Sequence, residues 1–158
     1  LLFRLNTKVL EETIYRSLMI KLHYVTKDPL EKLINSNSRS MLNFGHTIGH
    51  SLEAYYKYKK KLNHGEAISI GMMVESFISN KLGYLSSSKY NKIIDHFKKV
   101  GLKNYDNNIK NNKIIDLIKK DKKNTDNKIN IVLLKDIGKS FFNRNMKLSL
   151  IKKIIKNI

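Results

Sequence analysis

Two neighbouring stretches of the chain decide the fold and the site that the sequence predicts. The first is Leu42-Asn43-Phe44-Gly45-His46-Thr47-Ile48-Gly49-His50-Ser51-Leu52-Glu53-Ala54, and the second is Asn63-His64-Gly65-Glu66-Ala67-Ile68-Ser69-Ile70-Gly71-Met72. A helix expected over 41–58 carries His46 and His50 four residues apart, so both rings project from one face. His64 comes directly before a second expected helix, over 66–82. Two imidazoles at this spacing with a third ligand form a familiar divalent-metal site, although surface or core histidines are the default interpretation of an isolated H-x-x-x-H.

The residues around these histidines favour the metal interpretation. Gly45 and Gly49 flank the first histidine pair, and a glycine within a helix costs about 1 kcal/mol relative to alanine. That cost is understandable if a ligand or another backbone must approach the helix closely. Glu53 and Glu66 lie near the histidines and either complete a metal site or orient a ligand ring. The two histidines without such surroundings are expected at the surface: His23 and His96.

The remaining periodicity predicts a mainly helical, bundle-like single domain over 1–158 with one short β-hairpin. The further segments are a helix over 9–25, a helix over 89–100, a short helix around 114–118, a hairpin near 129–142 and a closing helix over 146–158. The 158 residues are enough to bury one core. Because the chain starts at Leu1 rather than at methionine, we expect it to be a fragment of a longer protein.

The composition excludes some functions and leaves one alternative open. The formal charge is +18, but it comes from 27 lysines and only 4 arginines, beside 18 asparagines and 20 isoleucines. Lysine, asparagine and isoleucine all have A- and T-rich codons, so genome bias accounts for most of the charge. A basic nucleic-acid-binding module remains the alternative, with Lys57–Lys61 and Lys119–Lys123 as its footprint. The absence of cysteine excludes disulfides and thiolate zinc sites, and no apolar run approaches the ~20 residues of a membrane helix.

The two quoted stretches resemble the LN-x-GHT-x-GH-x-x-E and HGEA-x-x-x-GM signatures of the 3-dehydroquinate synthase family. Arg39 lies four residues before Asn43, as in the R-x-x-LN of that family. Four further matches occur in the same order: Ile14-Tyr15-Arg16-Ser17 with Lys21, Asp28-Pro29-Leu30-Glu31, Asp121-Lys122-Lys123, and Ile131-Val132-Leu133-Leu134 with Ile137-Gly138-Lys139. The similarity covers almost the whole chain and corresponds to the C-terminal metal- and substrate-binding domain.

The resemblance implies a role for each matching residue. His46 and His64 would ligate the catalytic Zn²⁺ or Co²⁺, and His50 would face the substrate and its phosphate. The substrate carboxylate and oxygens would be held by Lys21, Arg39 and Asn43. Lys122 would supply a cation to the phosphate. The residues implied to be catalytic are His50, Lys21 and Arg39.

The resemblance also implies the reaction. The enzyme would be a lyase of the shikimate pathway, which leads to chorismate and the aromatic amino acids. It would convert 3-deoxy-D-arabino-heptulosonate 7-phosphate to 3-dehydroquinate and phosphate, using NAD and a divalent ion that polarises the reacting oxygen. A cytoplasmic homodimer with no nucleic-acid or membrane partner is expected.

Three departures from the family pattern limit these expectations. The NAD-binding α/β domain, with its glycine-rich turn, precedes this region in the family and is absent from this sequence. The third metal ligand, a glutamate in an A-E-x-x-K motif, is absent with it, so we expect the 158 residues alone to be inactive. Asn35-Ser36-Asn37-Ser38 looks like a loop insertion between Glu31 and Arg39.

A more distant relative, the iron-dependent alcohol or glycerol dehydrogenase family, fits the GHTIGH string less well than the synthase family does. Three other interpretations stay open at this point. One is another sugar-phosphate cyclase, such as a 2-deoxy-scyllo-inosose synthase, although Arg39 and Asn43 favour a substrate with a carboxylate. The second is the nucleic-acid-binding module described above. The third is a remnant that folds without function, against which the intact histidine strings argue.

Overall fold

The computed structural model describes residues 6–57, 62–120 and 128–158 of the chain. Over these residues the chain forms mostly α-helix, with one 3-10 helix and one antiparallel hairpin. The elements in chain order are α1 (Thr7–Lys27), the 3-10 helix (Arg39–Asn43), α2 (His46–Tyr55), α3 (His64–Lys81), α4 (Ser87–Lys99), α5 (Asn112–Lys119), β1 (Lys128–Asp136), β2 (Lys139–Lys147) and α6 (Leu148–Ile155). The predicted fold class, mainly α with a β-hairpin, is confirmed.

Helix α1 lies at the edge of the domain. Asn6 caps it by accepting a hydrogen bond from the Val9 N–H at 3.2 Å, and it ends at Asp28 because Pro29 disfavours helical geometry in the preceding residue. None of its residues is buried, and it packs mainly against the 3-10 helix. The helix expected over 9–25 is therefore present, two residues longer at each end.

The single helix expected over 41–58 is wrong, because the chain forms two elements there. The 3-10 helix ends at Asn43, and Gly45 then adopts a left-handed conformation with φ of 85° before α2 begins at His46. A left-handed residue interrupts the hydrogen-bond ladder of a right-handed helix, and glycine adopts that conformation without steric cost. Gly45 is thus the residue that caps α2 and not a residue inside a helix.

Helix α3 begins two residues earlier than expected because its start is capped on both sides. The Asn63 side chain accepts from the Glu66 N–H at 2.8 Å, and the Glu66 carboxylate accepts from the Asn63 N–H at 3.0 Å. This reciprocal arrangement is a capping box, which places His64 as the first residue of the helix. His64 therefore projects from the end of α3 that lies nearest to α2.

The hairpin is longer than the predicted segment near 129–142. Strands β1 and β2 pair from Lys128 with Lys147 to Asp136 with Lys139, and they turn through Ile137-Gly138, where Gly138 has a φ of 78°. Met146 belongs to β2, so the closing helix begins only at Leu148. The expected start of that helix at residue 146 is wrong, since Met146 pairs with Ile129 in the sheet and is buried there.

The apolar core lies between α2, α3, α5, α6 and β1. Its fully buried large side chains include Ile48, Leu52, Ile70, Ile78, Ile114, Ile118, Ile131, Leu133 and Ile151. The core fixes α2 against α3, and these two helices carry the histidines. None of the helices within the described ranges is long and apolar enough to span a membrane.

Candidate metal and anion site

Three imidazole rings converge where α2 and α3 begin. The ring centroids of His46 and His50 are 5.3 Å apart, those of His46 and His64 are 5.8 Å apart, and those of His50 and His64 are 6.1 Å apart. Helical spacing brings the first two together, and the packing of α3 on α2 adds the third. We call these three residues the histidine cluster. His23 and His96 are exposed, as expected.

Close contact between the two helix backbones makes this convergence possible. A Cβ atom at Gly71 would lie 1.9 Å from the Gly45 carbonyl oxygen, and one at Gly49 would lie 2.7 Å from Ile68 Cδ1 and 3.1 Å from the Ala67 carbonyl oxygen. Of the two explanations that the sequence offered for the glycines, approach by another backbone is therefore the one that the structure shows.

A buried carboxylate fixes the first turn of α2. Glu75 of α3 is fully buried and accepts hydrogen bonds from the Gly45 N–H at 2.6 Å and the Ile48 N–H at 3.4 Å. The N-terminal N–H groups of a helix need such an acceptor, and Gly45 has no side chain to supply it. Burial raises the pKa of Glu75 to about 8, although hydrogen bonds from the backbone of Gly45, Ile48 and Thr47 oppose the rise. Sequence reasoning missed this residue, whose signal is a single acid within the otherwise small and apolar stretch of α3.

Of the two glutamates that the sequence places near the histidines, Glu53 contacts a histidine ring and Glu66 caps a helix. Glu53 Oε1 lies 3.0 Å from His64 Nδ1, and Glu53 is largely buried while His64 is exposed. Because a carboxylate can only accept, His64 donates its Nδ1–H and keeps Nε2 free for a ligand. Glu66 instead forms the capping box and lies 3.8 Å from the Lys103 ammonium. Glu53 orients a ring, and Glu66 stabilises the helix start.

His46 is held in a similar way. Its Nδ1 lies 3.3 Å from the Phe44 carbonyl oxygen, which can only accept, so His46 also donates through Nδ1. In addition, potential ligand atoms of His50, Glu53 and His64 all lie within 4.8 Å of one another. The site therefore offers imidazole and carboxylate donors of the kind that bind divalent transition metals. His46 lies beside this triplet and is not a member of it.

A polar pocket adjoins the histidine cluster. It has a volume of about 420 Å³ and is lined by three of the four predicted substrate-binding residues that the structure describes, Lys21, Arg39 and Asn43, whereas the fourth, His50, does not line it. His46 also lines it, so one ring borders both the pocket and the cluster. Arg39 Nη1 donates to the Pro29 carbonyl at 3.1 Å, which leaves its remaining N–H groups available for an anion. We call this cavity the anion pocket.

Asp28 holds the wall of the anion pocket across the inserted loop. The buried carboxylate accepts from the Lys32 N–H at 2.7 Å and the Leu33 N–H at 3.2 Å before the loop, and from the Arg39 N–H at 3.0 Å after it. Burial would raise its pKa, but the hydrogen bonds from these N–H groups and from the Ser38 hydroxyl outweigh burial and lower it. The carboxylate therefore stays ionised, and the insertion does not displace Arg39 from the pocket.

Glu31 is a second acid of the pocket whose place the sequence left uncertain. It adopts a left-handed backbone conformation, with φ of 53°, and Oε1 accepts from Asn43 Nδ2 at 3.0 Å and from Ser40 Oγ at 3.1 Å. Glu31 thereby fixes the Asn43 amide.

Lys122 lies outside the described residues, and so do parts of both lysine-rich segments of the nucleic-acid alternative.

Comparisons with known proteins identify the family to which the chain belongs. Residues 1–124 match the family described as 3-dehydroquinate synthase C-terminal. The 3-dehydroquinate synthase of Thermoanaerobacter pseudethanolicus is 38% identical over 131 residues, which are 83% of this chain and 35% of that protein. The chain thus spans little more than a third of that relative.

Two solved structures share the fold. A 2-epi-5-epi-valiolone synthase from Streptomyces hygroscopicus, solved with NAD⁺ and Zn²⁺ bound, superposes with a TM-score of 0.73 at 18% identity, covering 98% of this chain and 41% of that one. A 2-deoxy-scyllo-inosose synthase complexed with carbaglucose-6-phosphate, NAD⁺ and Co²⁺ gives 0.61 at 22% identity, covering 75% and 35%. At these identities the likeness establishes the fold.

Proposed function

Because the chain belongs to the 3-dehydroquinate synthase C-terminal family, we propose that it is the metal- and substrate-binding part of a 3-dehydroquinate synthase. The reaction would convert 3-deoxy-D-arabino-heptulosonate 7-phosphate to 3-dehydroquinate and phosphate. The observation that carries the proposal is the position of His46, which lies in the histidine cluster and also lines the anion pocket. The His46 side chain therefore lies between the candidate site for a divalent cation and the candidate pocket for an anionic sugar phosphate.

His46 and His64 are the proposed ligands of a Zn²⁺ or Co²⁺ ion. Both rings donate Nδ1–H to a fixed oxygen, which is the tautomer of a histidine that ligates a metal through Nε2. Such an ion supplies Lewis-acid polarisation of a substrate oxygen when it is bound. The resemblance assigns the third ligand to a glutamate of the upstream region.

The substrate carboxylate and hydroxyls are assigned to the anion pocket. The planar Arg39 guanidinium suits bidentate recognition of a carboxylate, and Lys21 adds a second positive charge to the same cavity. Because Asn43 donates to Glu31 through Nδ2, its Oδ1 is the atom that can accept from a substrate hydroxyl.

The phosphate end is assigned to His50 and Lys122. His50 is exposed beside the other two rings and can donate a hydrogen bond to a phosphate oxygen. Lys122 is assigned by the resemblance alone. Together with Lys21 and Arg39, these residues would hold a dianionic substrate at both ends.

The remaining parts of the proposal rest on the family and on the solved relatives. NAD would bind to an upstream α/β domain, which makes the chain as given inactive when it stands alone. We also propose that the whole enzyme is a cytoplasmic homodimer. Sedimentation of the whole enzyme at two concentrations checks the dimer.

Zinc binding to the 158-residue chain tests the metal assignment. Isothermal titration should show at least about tenfold weaker binding for His46→Ala and for His64→Ala, because each change removes one of few donors. His23→Ala is the matched control, since His23 is exposed on α1 away from the cluster, and its binding should equal that of the parent chain. Unchanged affinity in both cluster variants would remove the ligand assignment.

Catalysis needs an assay with the upstream half of a relative supplied in trans or by fusion. Dehydroquinate should form only from the combined protein, and Arg39→Met should abolish most of the turnover by removing the bidentate carboxylate contact. Carbaglucose-6-phosphate, the ligand of the solved inosose synthase, has no carboxylate and should compete weakly. Strong competition by this compound, unaffected by Arg39→Met, would contradict the proposed substrate.

A further inference from the structure

A second cavity, of about 650 Å³, lies between five elements and has no role in the function proposed above. Its walls come from α1, the segment 41–44, α3, α4 and the turn of the hairpin. It borders the anion pocket through Ile20 and Leu42 but includes none of the residues assigned to metal or substrate. The volume is in the range of small-molecule sites. We call it the α4 cavity.

The walls of the α4 cavity are tied together by protein contacts. Lys89 of α4 forms an ion pair with Asp136, which closes β1 next to the hairpin turn. Ser79 Oγ accepts from the Leu134 N–H at 3.0 Å and so joins α3 to the same strand. The cavity is therefore formed by the fold itself and not by a loop that must close over it.

The lining is apolar and rich in groups that pack against an aromatic ring. Phe44, Phe97, Met41 and Met72 contribute two aromatic rings and two thioethers to the surface. Aromatic pairs and sulfur–aromatic contacts stabilise a bound ring beyond simple area burial. These four side chains favour contact with a flat aromatic body, beside the aliphatic side chains that also line the cavity.

One buried hydroxyl beside the cavity lacks a hydrogen-bond partner among the described residues. Ser76 of α3 is fully buried, lines the cavity, and its hydroxyl has no hydrogen-bond partner among the described residues. Buried hydroxyls are almost always hydrogen-bonded, because leaving one unpaired costs its hydration. A hydrogen bond from a molecule bound in the cavity would remove this cost.

The rim of the cavity carries the positive charge of Lys92. Lys92 and His96 of α4 line it, and no acidic residue does so within the described part of the chain. The nearby Asp136 is already paired with Lys89. A ligand with an anionic group at the rim therefore gains a favourable charge contact.

From these features we infer that the α4 cavity binds a small aromatic carboxylate. The ring would lie against Phe97 and Met72, the carboxylate would face Lys92 and His96, and a polar atom of the ligand would bond to the Ser76 hydroxyl. This inference does not depend on the proposed function, because none of these residues belongs to the histidine cluster or the anion pocket.

Matched probes test the inference on the 158-residue chain by isothermal titration. Naphthalene-1-acetate should bind about fivefold more tightly than naphthalene-1-acetamide, which has the same ring and no charge. Lys92→Glu should remove this preference. Lys98→Glu makes the same charge change on an exposed residue of α4 that does not line the cavity, and it should retain the preference.

A second pair of variants tests the buried hydroxyl. Ser76→Thr and Ser76→Val introduce side chains of equal size, but only threonine keeps the hydroxyl, so the valine variant should bind the acetate several-fold more weakly than the threonine variant. Equal binding of acetate and amide, or equal effects of Lys92→Glu and Lys98→Glu, would overturn the inference. Decanoate binding as tightly as the naphthyl acid would overturn the aromatic selection, and self-association that blocks the probe would identify a second copy as the occupant instead.

Discussion

At the scale of single residues, two carboxylates organise the histidine cluster without belonging to the predicted site. Glu53 fixes the His64 ring through Nδ1, and Glu75 caps the turn that carries His46. Neither role can be derived from sequence spacing, because Glu53 and His64 lie on different helices and Glu75 is 30 residues from Gly45. The sequence placed Glu53 near the histidines without deciding what it contacts, and it gave no role to Glu75.

Replacing Glu53 by glutamine should lower zinc affinity about 10- to 100-fold, as expected for an oriented ligand ring that loses its acceptor. Glutamine keeps the size of the side chain but can turn its amide NH₂ towards Nδ1. Isothermal titration measures the change. Glu66→Gln is the control, since Glu66 serves the capping box, and it should leave zinc affinity as it is. Equal affinities for Glu53→Gln and the parent chain would contradict the orienting role.

Glu75 should make the stability of the chain depend on pH. Its pKa of about 8 in the folded state exceeds the ordinary value of 4.5, so between these two values the folded chain holds a proton that the unfolded chain has lost. The free energy of unfolding should then fall as the pH rises, by up to about 1.4 kcal/mol per pH unit in this window. Urea titrations at pH 5, 6, 7 and 8 measure it.

Glu75→Gln supplies the comparison for that experiment, because glutamine has nearly the same shape and does not titrate. Its free energy of unfolding should change less between pH 5 and pH 8 than that of the parent chain. Parallel pH profiles for the two proteins would show that Glu75 has the same affinity for its proton in the folded and unfolded states.

At the scale of elements, the packing of α3 on α2 decides the geometry of the site. The glycines at 45, 49 and 71 allow two backbones to touch, which a periodicity argument cannot reveal because it reads only side-chain pattern. The same limitation explains why the prediction of a single helix over 41–58 was wrong. The spacing of apolar residues does not indicate that Gly45 adopts a left-handed conformation. Helices with clear caps, such as α4 after Ser86, could be predicted to within two residues.

Gly71→Ala should therefore disrupt the contact between α2 and α3. The added Cβ would lie 1.9 Å from the Gly45 carbonyl oxygen, and backbone cannot yield as a flexible side chain does. We expect a loss of at least about 3 kcal/mol in the free energy of unfolding, measured by urea titration, as for severe overpacking.

Gly65→Ala is the matched control for this substitution, because Gly65 is also helical and a Cβ there would meet only Asn63 Oδ1, at 3.5 Å. It should be neutral or stabilising by up to about 1 kcal/mol through helix propensity. Equal effects at the two positions would mean that the close approach of α2 and α3 has no energetic importance.

At the scale of the whole molecule, the core and the surface divide unevenly along the chain. Leu52 is fully buried between the central elements, whereas the apolar residues of α1 remain open, with Leu18 at 59% exposure. Amphipathic spacing predicted that α1 is a helix. It did not predict that the apolar side chains of α1 are exposed, because spacing does not show whether another surface packs against them. Most lysines within the described residues are likewise exposed, and only Lys21 and Arg39 among the described cations line the anion pocket.

Leucine-to-alanine changes should reflect this division. Leu52→Ala should lower the free energy of unfolding by about 2–5 kcal/mol, as for a core truncation, and Leu18→Ala by less than about 0.5 kcal/mol. Chemical denaturation of both variants provides the measurement. A large loss for Leu18→Ala would mean that α1 is covered in solution by a surface that the chain alone does not present.

The hydrogen bonds that Asp28 accepts on both sides of the loop at residues 35–38 make this loop a convenient place for a reporter group. Since Asp28 binds backbone N–H groups on both sides of residues 35–38, a change at the exposed Ser36 should leave Arg39 in place. The chain has no cysteine, so a Ser36→Cys variant could be labelled at one position with a fluorophore. The dye would sit near the anion pocket and could follow ligand entry in real time without occupying a binding group.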